Sequence, residues 1–305
     1  MSDHRFALVD WGTTSFRLWL VDAAGEVVAR ANGREGMTYA VRQGFENVLE
    51  RHLAQTGAPS GLPVLICGMA GARQGWREAA YVETPAPLAQ LVDRSVMVDS
   101  RLGDIRILPG ISHGDPAMPS VMRGEETQLL GLGTAQGKTL VCMPGTHCKW
   151  VEIEDGIVSR FSTFLTGELF DVLSTYSILQ HAVEKGDTVA NDVFRSAVRI
   201  AGAAPELVWT RLFALRASQL LGQMERADGA AHLSGLLIGA EIAAARRLHG
   251  GGSKFVLVAS GPLAALYRSA LADEGFEFRH MDADDAALSG LLRAARSIWP
   301  ERMAE

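Results

Sequence analysis

Two stretches of the chain carry the same pattern of apolar runs broken by a glycine-threonine interruption. The first reads Phe6-Ala-Leu-Val-Asp10, then Gly12-Thr13-Thr14-Ser15, then Phe16-Arg17-Leu-Trp-Leu20-Val21. The second reads Leu140-Val-Cys142-Met143, then Pro144-Gly145-Thr146-His147, then Lys149-Trp-Val-Glu-Ile153. Short runs rich in β-branched and aromatic residues, bounded by turn formers, predict strands. Each pair continues through a second turn, Asp22–Gly25 or Glu154–Gly156, into a third run, Val27–Ala31 or Ile157–Phe161. Each stretch therefore predicts three antiparallel strands. A strand–turn–strand of this kind presents glycine backbone and hydroxyls where an anion can approach closely. Two such hairpins facing each other would grip a polyphosphate from both sides.

The rest of each half keeps a common order. In the first, a helical pattern at 44–53 precedes the apolar strand Val64–Cys67, and Gly68-Met-Ala-Gly71 breaks that strand and opens a helix. Ile105–Leu108 is a further strand, stopped by Pro109-Gly110; the loop Ser112–Ser120 follows, and a helix runs from Arg123 to about Leu132. In the second half, 167–249 is helix-rich, with Leu233, Leu236, Leu237 and Ile242 at helical spacing. The strand Phe255–Val258, the break Ser260-Gly261-Pro262, a helix from Leu263, the strand Glu277–Met281 and the helix Asp284–Ile298 complete it. The fold class is α/β: mixed sheets flanked by helices, ligand loops at the strand ends, and a cleft between two copies. The glycine-rich segment Gly131–Gly137 sets the division near 135, giving domains 1–135 and 136–305.

Composition narrows the partners. A chain of 305 residues suits two domains, and 48% hydrophobic with 21% charged residues is globular. A net charge of −6 without a long basic run argues against nucleic acid. Three cysteines make no disulfide framework, and neither a signal-peptide pattern nor a long apolar run is seen. The expectation is a cytoplasmic protein with no membrane partner, and a homodimer on the base rate for oligomers.

The two Gly-Thr hairpins with the later Ser260-Gly261 turn resemble the acetate kinase/sugar kinase/Hsp70/actin superfamily. In that resemblance Asp10–Ser15 is a phosphate-1 motif, Pro144–Lys149 a phosphate-2 motif and Val258–Pro262 an adenosine motif. Within the superfamily the chain is similar to the 2-dehydro-3-deoxygalactonokinase family. The segments that carry this span the whole chain: Val9–Thr14, Gly68–Gly71, Val121–Leu129, Met143–Trp150, Leu165–Glu168, Arg216–Ser218 and Leu233–Glu241. The resemblance implies two RNase H-like (actin-like ATPase) domains, with ATP and Mg2+ as cofactors. It also implies ATP-dependent phosphorylation of 2-keto-3-deoxygalactonate at its 6-hydroxyl, a step in galactonate catabolism.

Phosphoryl transfer needs a held triphosphate, a positioned hydroxyl and a carboxylate nearby. Asp10, at a strand end, suits Mg2+ held mostly through water; its alternative role is to satisfy the turn. Gly12, Thr13, Thr14 and Ser15 would offer donors to the β- and γ-phosphates, with Gly145, Thr146 and His147 opposite; ordinary hairpin chemistry is the alternative. Arg17 and Lys149, after the two turns, are cations for a phosphate or the substrate carboxylate, or strand residues reaching solvent. Glu125 and Glu126, at a helix start, are candidates for orienting or deprotonating the acceptor, though capping explains carboxylates there equally well. Arg123 is a partner for the keto-acid carboxylate. Gly71 and Arg73 belong to a loop lining the sugar site, and Glu168 is a second carboxylate candidate or a helix-start residue. Ser260 and Gly261 would let backbone pass close to adenine or ribose. Cys142, His147 and Cys148 fit no familiar zinc spacing. A kinase is the leading reading. A sugar-acid kinase acting on 2-keto-3-deoxygluconate, a phosphohydrolase of the same fold and a nucleotide-dependent switch are the alternatives.

Overall fold

The structure is a computed structural model and describes residues 4–133, 136–184, 186, 188–250 and 254–303. The expected boundary at 135 lies outside the described residues. The chain forms two compact units. Unit 1 comprises Met1–Gly137, Glu154–Arg160 and Ala283–Glu305; unit 2 comprises Lys138–Ile153 and Phe161–Asp282. The break after Gly137 is close to the expected one. The segments 154–160 and 283–305, expected in the second domain, are counted with unit 1.

Unit 1 opens with β1 (His4–Trp11), β2 (Phe16–Asp22) and β3 (Val27–Gly33), followed by α1 (Met37–Gln43), α2 (Phe45–Thr56) and β4 (Val64–Gly68). Their alternation puts one set of apolar residues on each face of the sheet. Short elements follow: β5 (Val82–Glu83), β6 (Ala86–Pro87), α3 (Gln90–Asp93), β7 (Val96–Val98), β8 (Ile105–Ile107), β9 (Ile111–His113), β10 (Ser120–Met122) and α4 (Glu125–Gly131). The main sheet has the order β3-β2-β1-β4-β8-β7, antiparallel from β1 to β3 and parallel from β1 through β4 to β8. A small sheet runs β10-β9-β5. The break at Gly68–Gly71 makes a single 3-10 turn, Met69–Gly71, rather than a helix start.

In unit 2, β11 (Lys138–Met143), β12 (Cys148–Glu154) and β13 (Ile157–Phe164) lead into α5 (Thr166–Tyr176), α6 (Asp192–Ala203), α7 (Val208–Leu220) and α8 (Arg226–His249). Then come β14 (Lys254–Val258), α9 (Gly261–Asp273) and β15 (Arg279–Met281), and the sheet order is β15-β14-β11-β12-β13. The first residues of β13, counted with unit 1, pair with β6. The Asp155-Gly156 turn between β12 and β13 has φ of 50° and 81°, the left-handed pair that a two-residue hairpin requires.

The last helix, α10 (Ala283–Ile298), belongs to unit 1. Its Ala287, Leu291, Ala294 and Ala295 cover Phe6, Leu8, Trp19 and Val21 on one face of the β1–β4 sheet. The other face is covered by α1 and α2, with Trp11 packed among Phe16, Phe45 and Trp76. Parallel strands buried on both faces hold their C-terminal ends rigidly, and those ends carry the candidate chemistry of unit 1.

Candidate active site

Asp10 stands near the end of β1, paired across the sheet with Arg17 on β2 and Cys67 on β4. Arg17 Nη1 donates to Asp10 Oδ2 at 2.9 Å, and its Nη2 lies 3.3 Å from Asp284 Oδ1. Cys67 Sγ is 3.8 Å from Asp10 Oδ1. Arg17 is therefore engaged with carboxylates and does not simply reach solvent. Burial raises the Asp10 carboxyl above its ordinary range, and Arg17 pulls it back down. Gly68 follows Cys67 at φ +86°, and a Cβ there would come within 2.6 Å of the Trp11 carbonyl oxygen, so only glycine fits beside Asp10.

The turn after β1 is closed by the Gly12 N–H donating to the Ser15 carbonyl at 2.9 Å. The start of α1 then takes the turn's carbonyls: Met37 N–H donates to Gly12 O and Thr38 N–H to Thr13 O. Among the described residues, the N–H groups of Thr13, Thr14 and Ser15 donate to nothing, and both threonines are exposed. The turn thus keeps donors available at the sheet edge, the property an anion site needs.

The start of α4 meets the same strand ends, since a Cβ on Gly124 would lie 3.6 Å from Gly68 Cα. Gly124 has φ +108°, and this conformation lets the two glutamates fold back on the loop. Arg123 N–H donates to Glu125 Oε2 at 3.0 Å and Gly124 N–H to Glu126 Oε2 at 2.7 Å. Thr127 Oγ1 donates to the other Glu126 oxygen at 3.0 Å. Glu126 is 0% exposed, and burial, reinforced by the neighbouring Glu125 charge, pushes its carboxyl up to about 8. Glu125 is only partly buried.

Arg123 lies with its guanidinium 4.4 Å from the Tyr81 ring centroid, Nη2 donating to Ala79 O at 2.8 Å. Its buried Nε and Nη1 have no hydrogen-bond partner. Nη1 occupies the space a side chain on Gly71 would need, 2.8 Å from that Cβ position. Gly71 and Arg123, both candidates for the sugar site, are thus brought together, while Arg73 is exposed on the following loop.

In unit 2 the Pro144–His147 loop packs on the start of α5. Glu168 N–H donates to Thr146 O at 2.9 Å, and a Cβ on Gly167 would run into the Gly145 carbonyl and come within 2.9 Å of Thr146 Cα. His147 Nε2 and Glu168 Oε2 are 2.5 Å apart, so two residues assigned separately to phosphate and sugar contact each other. Lys149 is 4% exposed on β12, its Nζ 3.5 Å from His147 O; it does not reach solvent. Ser260 Oγ donates to Asp282 at 2.7 Å instead of capping α9, and Gly261 opens that helix at φ +62°.

A cavity of about 380 Å³ in unit 2 is lined by Gly145, Thr146 and Gly167 on one side and Pro262, Leu263 and Tyr267 on another. Below it lies a buried network that the sequence reading missed. Glu241 on α8 accepts from Trp150 Nε1 at 2.8 Å and from Tyr267 Oη at 2.7 Å. Cys148 Sγ lies 3.1 Å from Tyr267 Oη and donates to Gly145 O at 3.4 Å. One carboxyl thus links β12, α9 and the Gly145 loop. The available signal was an acidic residue in register with Leu233 and Leu237 on an apolar helix face. A second hydrogen-bonded chain, Ser162–His249–Glu152, has two links of 2.8 Å in the order of a hydrolytic triad. Ser162 and the His249 ring are both buried, so no substrate reaches that hydroxyl, and the chain ties the end of α8 to the sheet.

Among the described residues no group of three or more His, Cys, Asp or Glu gathers as a metal site. Mg2+ that is held mainly by phosphates and water needs only one or two carboxylates. No helix is long and apolar enough to cross a membrane.

Comparison with known proteins shows the family of the chain. The profile described as 2-keto-3-deoxy-galactonokinase matches residues 10–294. The "Probable 2-dehydro-3-deoxygalactonokinase" of Rhizobium meliloti is 51% identical over 299 residues, 97% of this chain and 98% of that protein. The 2-dehydro-3-deoxygalactonokinase of Escherichia coli K12 is 32% identical, over 96% and 98% of the two chains. A crystal structure of a Sinorhizobium meliloti protein described under the same enzyme name superposes with a TM-score of 0.93, at 51% identity, over 97% of this chain and 99% of that one. At 12% identity, the activator of the 2-hydroxyisocaproyl-CoA dehydratase from Clostridium difficile with bound ADPNP shares the fold alone, with a TM-score of 0.52 over 98% and 96%. The fold is the mixed α/β actin-like ATPase architecture, and the chain belongs to the 2-keto-3-deoxy-galactonokinase family.

Proposed function

We propose that this protein transfers the γ-phosphoryl group of ATP to the 6-hydroxyl of 2-dehydro-3-deoxy-D-galactonate, in the cytoplasm where ATP is supplied. The observation that carries the reading is the convergence at the ends of β1 and β4: a turn with available N–H donors, Asp10, and a helix start bearing Glu125. The Thr13–Ser15 donors would hold phosphate oxygens of the nucleotide, and Gly145, Thr146 and His147 are the phosphate-2 candidates of unit 2. The 380 Å³ cavity beside Pro262 suits the adenosine moiety. Mg2+, held at Asp10 largely through water, would neutralise charge on the phosphates.

Glu125 is the better base of the two glutamates, because it is partly exposed while both Glu126 oxygens are engaged inside the protein. Glu125 would accept the hydroxyl proton as the oxygen attacks phosphorus, and Glu126 would fix the loop that aims it. Arg123, partly exposed beside Glu125, is the group for the substrate carboxylate. Arg73 would face the same sugar site from its loop.

The test is ADP formation from ATP and Mg2+ with 2-keto-3-deoxygalactonate, with 2-keto-3-deoxygluconate and without acceptor. ADP that depends on the galactonate-derived acid supports the reading. Equal rates with both acids widen the substrate, and release without acceptor converts the protein to a phosphohydrolase. Glu125→Gln should lower acceptor-dependent turnover by about 10²–10⁴-fold; near-normal turnover in that variant removes Glu125 as base.

A further inference from the structure

Unit 2 carries an exposed apolar surface on helix α7. Helix α7 has two apolar faces. Val208, Leu212 and Leu215 are buried in the core, while Trp209, Phe213 and Leu220 recur at helical spacing on the other side and are 70%, 64% and 65% exposed. Leu221, 70% exposed, continues the apolar run at the helix end. The turn Ile178–His181 packs against both α5 and α7 and carries the exposed Ile178, with the exposed Tyr176 just before it. Two arginines lie on α7: Arg211 folds back to donate to the Ile200 and Ala204 carbonyls, while Arg216, one turn from both Phe213 and Leu220, lies along the apolar face and donates to the Gln219 side chain. Beside the surface, a groove of about 280 Å³ between α5, α7 and α8 is lined by Leu173, Leu212, Ala244 and Trp209.

We propose that this face is the interface of a two-fold dimer, and that its occupant is the same α7 face of a second copy of this chain. Area is the first argument. The six exposed side chains present roughly 600 Å² of apolar surface, scaled from typical side-chain areas. That lies at the upper end of the roughly 300–600 Å² patch a monomer leaves uncovered. It also exceeds the roughly 480 Å² that an apolar share of about 60% would make of the ~800 Å² each partner gives to a standard interface. Self-complementarity is the second. A two-fold contact uses one patch twice, and this patch offers both projecting aromatic rings and an adjoining hollow that can receive a ring. The proposal does not rest on the kinase reading.

Sedimentation equilibrium of the full chain across the micromolar range tests it. The wild-type chain should be a dimer. Trp209→Glu combined with Phe213→Glu should be a monomer with unchanged far-UV circular dichroism, its dimer dissociation constant raised at least ~30-fold. Phe213→Ser alone, a milder change at an exposed position, answers the question if the double variant does not fold. A wild-type monomer throughout the range overturns the proposal, because the face is then covered by something other than a second copy. A dimer that is equally tight in both variants overturns it too, because the contact then lies elsewhere.

Discussion

Glu126 is a carboxyl placed where its charged form is disfavoured, and this has a measurable consequence. Its folded-state pKa of about 8 lies above the ordinary 4.5. A group shifted upward contributes stability that is fully present below the unfolded pKa and is lost as pH rises through the folded pKa, because the unfolded chain ionises first. Stability should therefore fall from about pH 5 to about pH 8 by an amount of order a few kcal/mol. Glu126→Gln, isosteric with the neutral acid, should remove that slope and leave the variant more stable than wild type near about pH 9. Urea midpoints measured across that range check it; parallel pH profiles for the two proteins would show that Glu126 is not the group responsible. Both glutamates obey the same preference of carboxylates for a helix start, so sequence alone leaves them equivalent. What separates them is Gly124 at φ +108°, which turns Glu126 inward toward Thr127, and that dihedral is not legible in the residue types.

Among the elements, the hairpin strands β1–β3 and β11–β13 were legible because their signals are local: short apolar runs, a Gly-Thr turn, an Asp-Gly turn. The sheet β10-β9-β5 was not, because strands of two and three residues carry no periodicity and owe their pairing to the segments around Pro109–Pro119. Helix α10 was legible as a helix but not in its partner. It packs so closely on α4 that a Cβ on Gly290 would run into the Thr127 carbonyl, and one on Gly131 into the Ala286 carbonyl. This contact holds α4, and with it Glu125, against the sheet. Gly290→Val should cost about 1–3 kcal/mol or more through overpacking. Turnover should fall as well, because displacing α4 moves the helix start away from Asp10. A variant with the wild-type urea midpoint and full turnover would show that the α4–α10 contact tolerates the added side chain.

At the scale of the whole molecule, the internal repeat encourages a division into two contiguous halves, and the chain does not follow it. Unit 1 is built from three segments, and the last of them covers much of one face of its core. An apolar stripe at helical spacing looks the same whichever sheet it covers, so the sequence pattern of 284–298 could not reveal this. Without α10, Phe6, Leu8, Trp19, Val21, Leu65 and Cys67 would lose the Ala287, Leu291 and Ala295 surface that buries them. At roughly 25 cal/mol per Å² of apolar area, exposing several large side chains removes a contribution comparable with the whole stability of a domain. A chain ending at Asp282 should therefore lose cooperative unfolding of unit 1, while the unit 2 core around Trp150, Tyr267 and Leu257 keeps its own contacts. Amide hydrogen exchange can read the two separately. Rapid exchange in β1, β2 and β4 with retained protection in β11 and β14 is the expected result. Full protection of β1 and β4 in the shortened chain would mean that residues 1–137 close their own core, as the contiguous division requires.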